Sequence, residues 1–316
     1  MHRAALIYNP ASGQLSARRA SYIREALDVL RKAGVEAEAL ETHAPGSAKS
    51  LAQGAIRQGY DTILACGGDG TVHEALQAVV GTEVALGVVP LGTANALAQN
   101  LGLGTSPVKA VHALLNANPV EVPVGRIFFR SDNGAQSWRY FTVAAGVGAD
   151  ALLMSSMDPA MKRRYGYALY VLEAFRIWAT NPFPLFDASF SINGNGQPRV
   201  EQVSQLLAVR IRSFGGVLGT LAPGATLHKS TLSLMAFKTQ SRFAYLRFLL
   251  AVVVGRHRFD NAIELVDADA VECRPSNGSS SNLLVEADGE VLGSLPARLE
   301  VARETVRLLV PPNAAP

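Results

Sequence analysis

Cysteine is almost absent: Cys66 and Cys273 are the two thiols in 316 residues. A disulfide framework is therefore not the source of stability, and a reducing, cytoplasmic setting is expected. Long apolar runs are missing too. The stretch from Phe248 to Val254 falls far short of the ~18 residues that span a bilayer. Any membrane contact is therefore expected to be peripheral, at the inner face. Met1-His2-Arg3 leads straight into an apolar segment and is too short for a signal peptide. No G-x-x-x-x-G-K-[S/T] occurs, which excludes an ordinary P-loop, and no G-x-S-x-G elbow, which argues against a serine hydrolase. No Cys/His cluster has metal-ligand spacing. Basic excess is slight, with a net charge of +3. The densest basic clusters, Lys162-Arg163-Arg164 and Arg256-His257-Arg258, are too short for a nucleic-acid-binding arm, and no nucleic-acid partner is expected.

What is present is an apolar, ordinarily charged chain, 48% hydrophobic and 17% charged, long enough for two domains. Its first third alternates strands and helices: Ala4–Tyr8 as strand, Ala20–Ala33 as helix, Val35–Leu40 as strand, Ser47–Gly59 as helix, Thr62–Cys66 as strand, a helix from Val72, Val84–Val89 as strand, and Val108–Leu115 as helix. That rhythm predicts a mostly parallel sheet. After Pro119, short strands dominate, interrupted by helices over Gly166–Thr180 and Arg242–Val254. An antiparallel second domain follows. Asn277 to Asn282 reads as a hairpin tip, and Val306–Val310 as a short final strand.

In open α/β sheets ligands bind beyond the carboxyl ends of the strands. Three loops stand there: Asn9-Pro10-Ala11-Ser12-Gly13, Gly67-Gly68-Asp69-Gly70-Thr71 and Gly92-Thr93-Ala94-Asn95. The second leads into Val72-His73 and a helix, placing backbone N–H groups where an anion can sit. Asp69 is the odd member, because a carboxylate repels phosphate unless a cation lies between them. His73, in the first helical turn, is expected to offer phosphate its backbone N–H and is not a candidate base. Gly146-Val147-Gly148-Ala149-Asp150 superficially matches a dinucleotide fingerprint, but it lacks a surrounding βαβ pattern and reads as a tight turn with Asp150 as a polar contributor. Val285-Glu286-Ala287-Asp288-Gly289-Glu290 is either a plain Asp-Gly hairpin or a carboxylate pair presented at a turn, able to take a proton from a hydroxyl.

Taken in order, Asn9–Gly13, Gly67–Thr71, Pro90–Asn95 and Asp288-Gly289-Glu290 resemble the diacylglycerol-kinase-like lipid kinase family, which includes bacterial lipid kinases and is related to the sphingosine kinases. The resemblance covers nearly the whole chain. G-G-D-G alone also occurs in NAD and 6-phosphofructo-type kinases. The resemblance implies an α/β, phosphofructokinase- and NAD-kinase-like N-terminal domain over residues 1–122, rejoined by a C-terminal strand at about 304–316, and an all-β sandwich for the lipid over 123–303. It implies transfer of the γ-phosphoryl group of ATP, with Mg²⁺, to a diacylglycerol-like or sphingoid-like hydroxyl. The alternatives are a kinase of a soluble polyol or nucleotide, and a catalytically weakened nucleotide- or lipid-binding homologue. By the same resemblance the nucleotide is held by Asn9, Pro10, Ala11, Ser12, Gly13, Thr42, Gly67, Gly68, Asp69, Gly70, Thr71, Val72, His73, Thr93 and Asn95. Glu290, Asp288 and Asp69 carry the chemistry, with Glu290 favoured as the base. Leu169, Tyr170, Leu172, Phe175 and Trp178, or Phe243–Val254, supply either an apolar lipid groove or core packing. Homodimerisation is left open. Three positions depart from the family pattern. Ala96 and Pro123 stand where aspartates are usual, and Lys229 puts a cation where bacterial members often bind a structural metal, so that metal site is expected to be absent.

Overall fold

A computed structural model describes residues 1–10, 16–157, 167–192, 198–214, 221–253, 262–276, 283–312 and 314. Ala11, Ser12 and Gly13, the hairpin tip at 277–282 and both basic clusters lie outside the described residues. Two compact units emerge: Met1–Val124 with Arg303–Pro316, and Gly125–Ala302.

The first unit is an α/β layer structure. Strands β1 (Arg3–Tyr8), β2 (Glu36–Glu41), β3 (Thr62–Gly67) and β4 (Ala85–Pro90) are parallel, in the order β2-β1-β3-β4. Helices α1 (Ser16–Lys32), α2 (Ser47–Arg57), α3 (Asp69–Val79), α4 (Ala96–Asn100) and α5 (Pro107–Leu115) alternate with them. Strands β3 and β4 are buried at every residue, as expected of parallel strands covered on both faces. Packing is close enough that a Cβ on Gly87 of β4 would lie 2.6 Å from Leu64.

The second unit is antiparallel and starts from β5 (Asn118–Arg130), most of which lies within it, followed by β6 (Gln136–Phe141) and β7 (Ala144–Val147). Helices α6 (Ala149–Ser155) and α7 (Tyr167–Thr180) lead to β8 (Phe186–Ser191), β9 (Arg199–Val203), β10 (Gln205–Val209) and β11 (Leu232–Phe237). After α8 (Arg242–Val253) come β12 (Ile263–Ala268), β13 (Ala270–Pro275), β14 (Leu284–Ala287) and β15 (Glu290–Val310). One path of neighbours runs β12-β11-β10-β7-β14-β15, and another runs from β15 through β13 and β8 to β9. Alternating burial turns one face of β8 onto a shared core that includes Phe141, Phe186, Phe190, Leu206, Leu234, Val271 and Leu299, whereas β7 and β11 are buried throughout.

Three elements differ from the sequence expectation. The final strand is no short segment: β15 extends over 21 residues, and only its last part pairs with β4, through Arg307↔Ala85 and Leu308↔Leu86. β5 forms a 13-residue strand despite Pro119 and Pro123. Gly146–Asp150 is no simple turn: β7 passes through Gly148, with φ of 115°, directly into α6.

Candidate active site

Parallel pairing sets four loops at one edge of the first unit. Tyr8 lies opposite Glu41 and Cys66, and Gly67 opposite Pro90. The segments beginning at Asn9, Thr42, Gly68 and Leu91 therefore all leave the carboxyl ends of the strands. Thr42 is buried and donates its N–H to the Tyr8 carbonyl at 2.9 Å.

The second and third loops interlock. Leu91 N–H donates to Gly67 O at 2.9 Å. A Cβ on Gly92 would lie 2.4 Å from Gly68 Cα, so a glycine is required at this approach. Asn95, at φ 49°, accepts from Gly92 N–H through Oδ1 and donates to Gly92 O through Nδ2, both at 2.9 Å. Asp69 closes the clasp: Oδ2 accepts from Asn95 N–H at 3.0 Å, and Oδ1 from Ala96 N–H at 2.8 Å. The awkward carboxylate thus has a local reason to be there, since it caps the start of α4. Behind the clasp, Val72 N–H makes the first helical bond of α3, to Gly68 O. The amides of Asp69, Gly70 and Thr71 occupy the first turn, where a helix offers donors to an anion.

Side chains in this segment divide by burial. Thr93 is exposed beside the clasp, whereas Thr71, Val72 and His73 are buried. A Cβ on Gly67 would lie 2.3 Å from Thr71 Oγ1, so the Thr71 side chain is packed against the Gly67 main chain. One residue that the sequence did not single out supports the edge. Glu74, on α3, accepts from Gly46 N–H at 2.6 Å and Ala48 N–H at 2.9 Å, capping α2. A glutamate one turn into a glycine-started helix was its only sequence signal.

In the second unit, the Asp-Gly pair forms the two-residue turn between β14 and β15, with Ala287 opposite Glu290. Both turn residues have positive φ, 50° at Asp288 and 85° at Gly289, as primed hairpin turns demand. The two carboxylates point to different environments. Asp288 is buried and accepts from the N–H groups of Thr142 (3.0 Å), Val143 (2.8 Å) and Ala144 (3.2 Å). Its own N–H donates to Ala144 O at 2.8 Å. Glu290 is exposed. Arg210, fully buried, is the countercharge that Asp288 favours; burial lowers its pKa to about 10. Its Nη2 donates to the carbonyls of Leu227 and Lys229 at 3.0 and 3.1 Å.

Two family models match the chain. The diacylglycerol kinase catalytic domain covers residues 3–127, and the YegS C-terminal NAD kinase beta sandwich-like domain covers 142–310. The chain belongs to the diacylglycerol-kinase-like lipid kinase family. A diacylglycerol kinase of Bacillus subtilis is 27% identical over all of this chain and 98% of its own length. One from Mycobacterium tuberculosis is 28% identical over 96% of this chain and 93% of its own. The crystal structure of a diacylglycerol kinase from Bacillus anthracis shares the fold, with a TM-score of 0.70 at 18% identity over 99% of this chain and 98% of that one. A second structure from the same organism reaches 0.78 at 20% identity, over 99% and 97%.

In this lipid kinase the position that departs toward a cation is filled by an ion pair. Lys229 Nζ lies 2.6 Å from Asp267 Oδ2 and 3.2 Å from Ser233 Oγ. Among the described residues, no three His, Cys, Asp or Glu side chains converge as a metal site. Among the same residues, no helix is long and apolar enough to cross a membrane.

Proposed function

We propose that this lipid kinase transfers the γ-phosphoryl group of ATP to a lipid hydroxyl, with diacylglycerol the first acceptor to test. The observation that carries the reading is the clasp of Gly68 against Gly92 at the N-terminus of α3, closed by Asp69. The side-chain-free cradle and the first-turn amides suit a polyphosphate, which has oxygens to accept those donors. Asp69, a carboxylate set among these first-turn amides, is the residue assigned to hold a nucleotide-borne Mg²⁺. Such an ion supplies neutralisation of phosphate charge. The diacylglycerol preference is supported by relatives of that name that match along nearly their whole length.

Glu290 is assigned the proton of the attacking hydroxyl. As the hydroxyl oxygen bonds to the γ-phosphorus, its proton passes to the Glu290 carboxylate and the bond to the β-phosphate oxygen breaks, releasing ADP. Asp288, committed to three main-chain amides, is assigned to holding the turn. The decisive experiment supplies γ-labelled ATP with diacylglycerol micelles, sphingoid micelles, and soluble polyols or nucleosides in parallel. Label is expected in the diacylglycerol phase. Label in soluble acceptors only, or ATP binding with no transfer to any acceptor, would overturn the reading.

Access to a lipid in a membrane is assigned to α7 and α8. These helices pack together, with Trp178 Nε1–H donating to Arg242 O at 2.7 Å. They leave Leu172, Phe175, Phe243 and Leu250 exposed, Phe243 at 79%. The same helices carry Arg242 and an Arg176 paired with Glu173 at 2.7 Å, and exposed apolar residues beside basic ones suit an anionic lipid surface. Replacing Phe175 and Phe243 together by Ser is expected to weaken co-sedimentation with anionic vesicles by about tenfold or more. Turnover of a dispersed short-chain diacylglycerol should be unchanged; an equal loss on both substrates would mean that these residues serve folding instead.

A further inference from the structure

Two carboxyl groups in the second unit have no part in the chemistry assigned so far, Asp150 and Glu286. Strand register brings them together. Gly146 of β7 lies opposite Glu286 of β14, and side chains at paired positions stand side by side on one face. Gly146 has no side chain, and Asp150 occupies the vacant place. A Cβ on Gly146 would fall 1.6 Å from Asp150 Oδ2 and 2.7 Å from its Cγ. Asp150 reaches there from the first turn of α6, which packs on β7 and β14. Among the described residues, both of its buried oxygens lack a well-formed side-chain hydrogen bond, and the first-turn amides of Ala151 and Asp150 itself favour its charge.

Among the described residues, the surroundings offer the pair little positive charge. Leu207 of β10 closes one side, with Cδ1 3.0 Å from the same Cβ position. From α8, Tyr245 feels the charge of Asp150; its hydroxyl lies 2.9 Å from Ser204 Oγ, and burial pushes its own pKa up. From the hairpin turn, Asp288 and Glu290 add negative charge to the field at Glu286, while the buried Arg210 is drawn to Asp288. Burial raises Asp150 from its ordinary value of 3.8 to about 7. Burial and then Asp150 push Glu286 well above the usual carboxylate range, and the Gly289 N–H only partly opposes them. Adjacent buried carboxyls in such a site do not both ionise at neutral pH.

We propose that Asp150 and Glu286 share one proton as a buried acid–carboxylate pair, and that this proton fixes the turn that presents Glu290. The link is short. Glu286 Oε2 accepts from Gly289 N–H at 2.9 Å, one residue before Glu290. With one proton the two carboxyls attract and Glu286 stays seated under the turn. Loss of that proton sets two negative charges side by side and drives Glu286 from its place. Asp150 and Glu286 are positioning residues in this account, which rests on the assignment of Glu290 as proton acceptor.

The test compares Asp150→Asn, Glu286→Gln and Glu286→Leu with the parent enzyme across pH. The parent is expected to lose kcat on the alkaline side as the pair gives up its proton. Asp150→Asn and Glu286→Gln, each with a permanently neutral partner, should each remove that alkaline decline. Glu286→Leu, which deletes the acceptor of the Gly289 amide, should lower kcat at every pH by about tenfold while KM for ATP stays constant; Glu286→Gln should restore most of that loss. The sign for stability is fixed as well. A carboxyl raised on folding stabilises fully below its unfolded pKa and loses that contribution as pH rises through the folded one. The parent should therefore lose stability between pH 3.8 and about 7, and Asp150→Asn should flatten that slope.

Two readouts need no kinase activity. The parent should show an infrared band of a buried protonated carboxyl at neutral pH; because burial still raises the remaining carboxyl, Asp150→Asn and Glu286→Gln should each keep a band that is shifted in frequency and titrates at lower pH. The Gly289 amide resonance should shift as the parent band titrates. A parent without the band, or a band of unchanged frequency and midpoint in both variants, overturns the shared proton. A band moved as expected, with kcat profile and Gly289 resonance unmoved, overturns control of the turn. A parent that phosphorylates no lipid refutes the functional assignment alone, and the infrared and amide titrations still decide the pair.

Discussion

Replacing Glu290 by Gln is expected to lower kcat for lipid phosphorylation by about 10²–10⁴-fold, with thermal stability and ATP affinity unchanged. The side chain is exposed at the first residue of β15, so little packing depends on it. Its proposed value to the enzyme lies in accepting a proton, which an amide cannot do. Asp288→Asn should behave in the opposite way. Its carboxylate gathers three main-chain N–H groups, and its charge favours the buried Arg210 guanidinium. An amide would keep one acceptor oxygen, turn a donor toward the remaining N–H and remove that charge. Leaving a buried donor unsatisfied costs about 1–3 kcal/mol, so urea unfolding should move to lower denaturant while the folded fraction retains measurable turnover. The reverse pattern, with Asp288→Asn stable but inert and Glu290→Gln still active, would transfer the proton-accepting role to Asp288.

The inner strands of the parallel half were legible because β1, β3 and β4 carry continuous apolar runs, such as Ile63-Leu64-Ala65-Cys66, each soon ended by glycine or proline, whereas β2 alternates Glu with Ala and Leu. The antiparallel half was legible in kind but less so in detail. β15 escaped because Gly293 and Pro296 interrupt it, and because polar residues such as Arg298 and Glu300 alternate with the buried Ala297 and Leu299. Prolines likewise concealed β5, whose pairing with β6 begins only at Gly125, past Pro119 and Pro123. β7 and α6 have four and seven residues, too few to display a period, so their strand–glycine–helix passage looked like a turn.

The candidate site shows the same division. Which loops gather at the carboxyl edge follows from strand order, and glycines mark them. What each carboxylate faces does not follow from local pattern. Asp69 reaches to Asn95 and Ala96, Asp288 to Thr142–Ala144, and Asp150 into the gap above Gly146. Each depends on a tertiary approach made by residues without periodicity. Arg210 sat unnoticed in the run Val209-Arg210-Ile211, where it reads as one more strand residue, yet it is among the largest fully buried side chains.

Asp69 is where that distinction bears most on the proposed nucleotide site. Asp69→Ala removes the acceptors of two amides, at Asn95 and Ala96, and opens the contact that seats Gly92 against Gly68. Unsatisfied donors at a helix start cost about 1–3 kcal/mol, and loss of an electrostatic organiser in a phosphoryl-transfer site is expected to lower kcat/KM for ATP by about 10²–10³-fold. Two further variants separate the clasp from the charge. Gly92→Ala keeps every charged group but places a methyl 2.4 Å from Gly68 Cα, so it should spread the loops and weaken ATP binding. Asp69→Asn keeps one acceptor oxygen and nearly the same shape, so it should recover part of the stability lost in Asp69→Ala. If Asp69 works only as the clasp, Asn should also recover turnover in proportion. If the carboxylate charge is needed at the phosphates, turnover in Asp69→Asn stays as low as in Asp69→Ala while stability returns. Because the sequence departs from the family pattern at Ala96 and Pro123, where further aspartates are usual, the second outcome is the expected one. Full activity in Asp69→Asn would show that geometry alone is what Asp69 supplies.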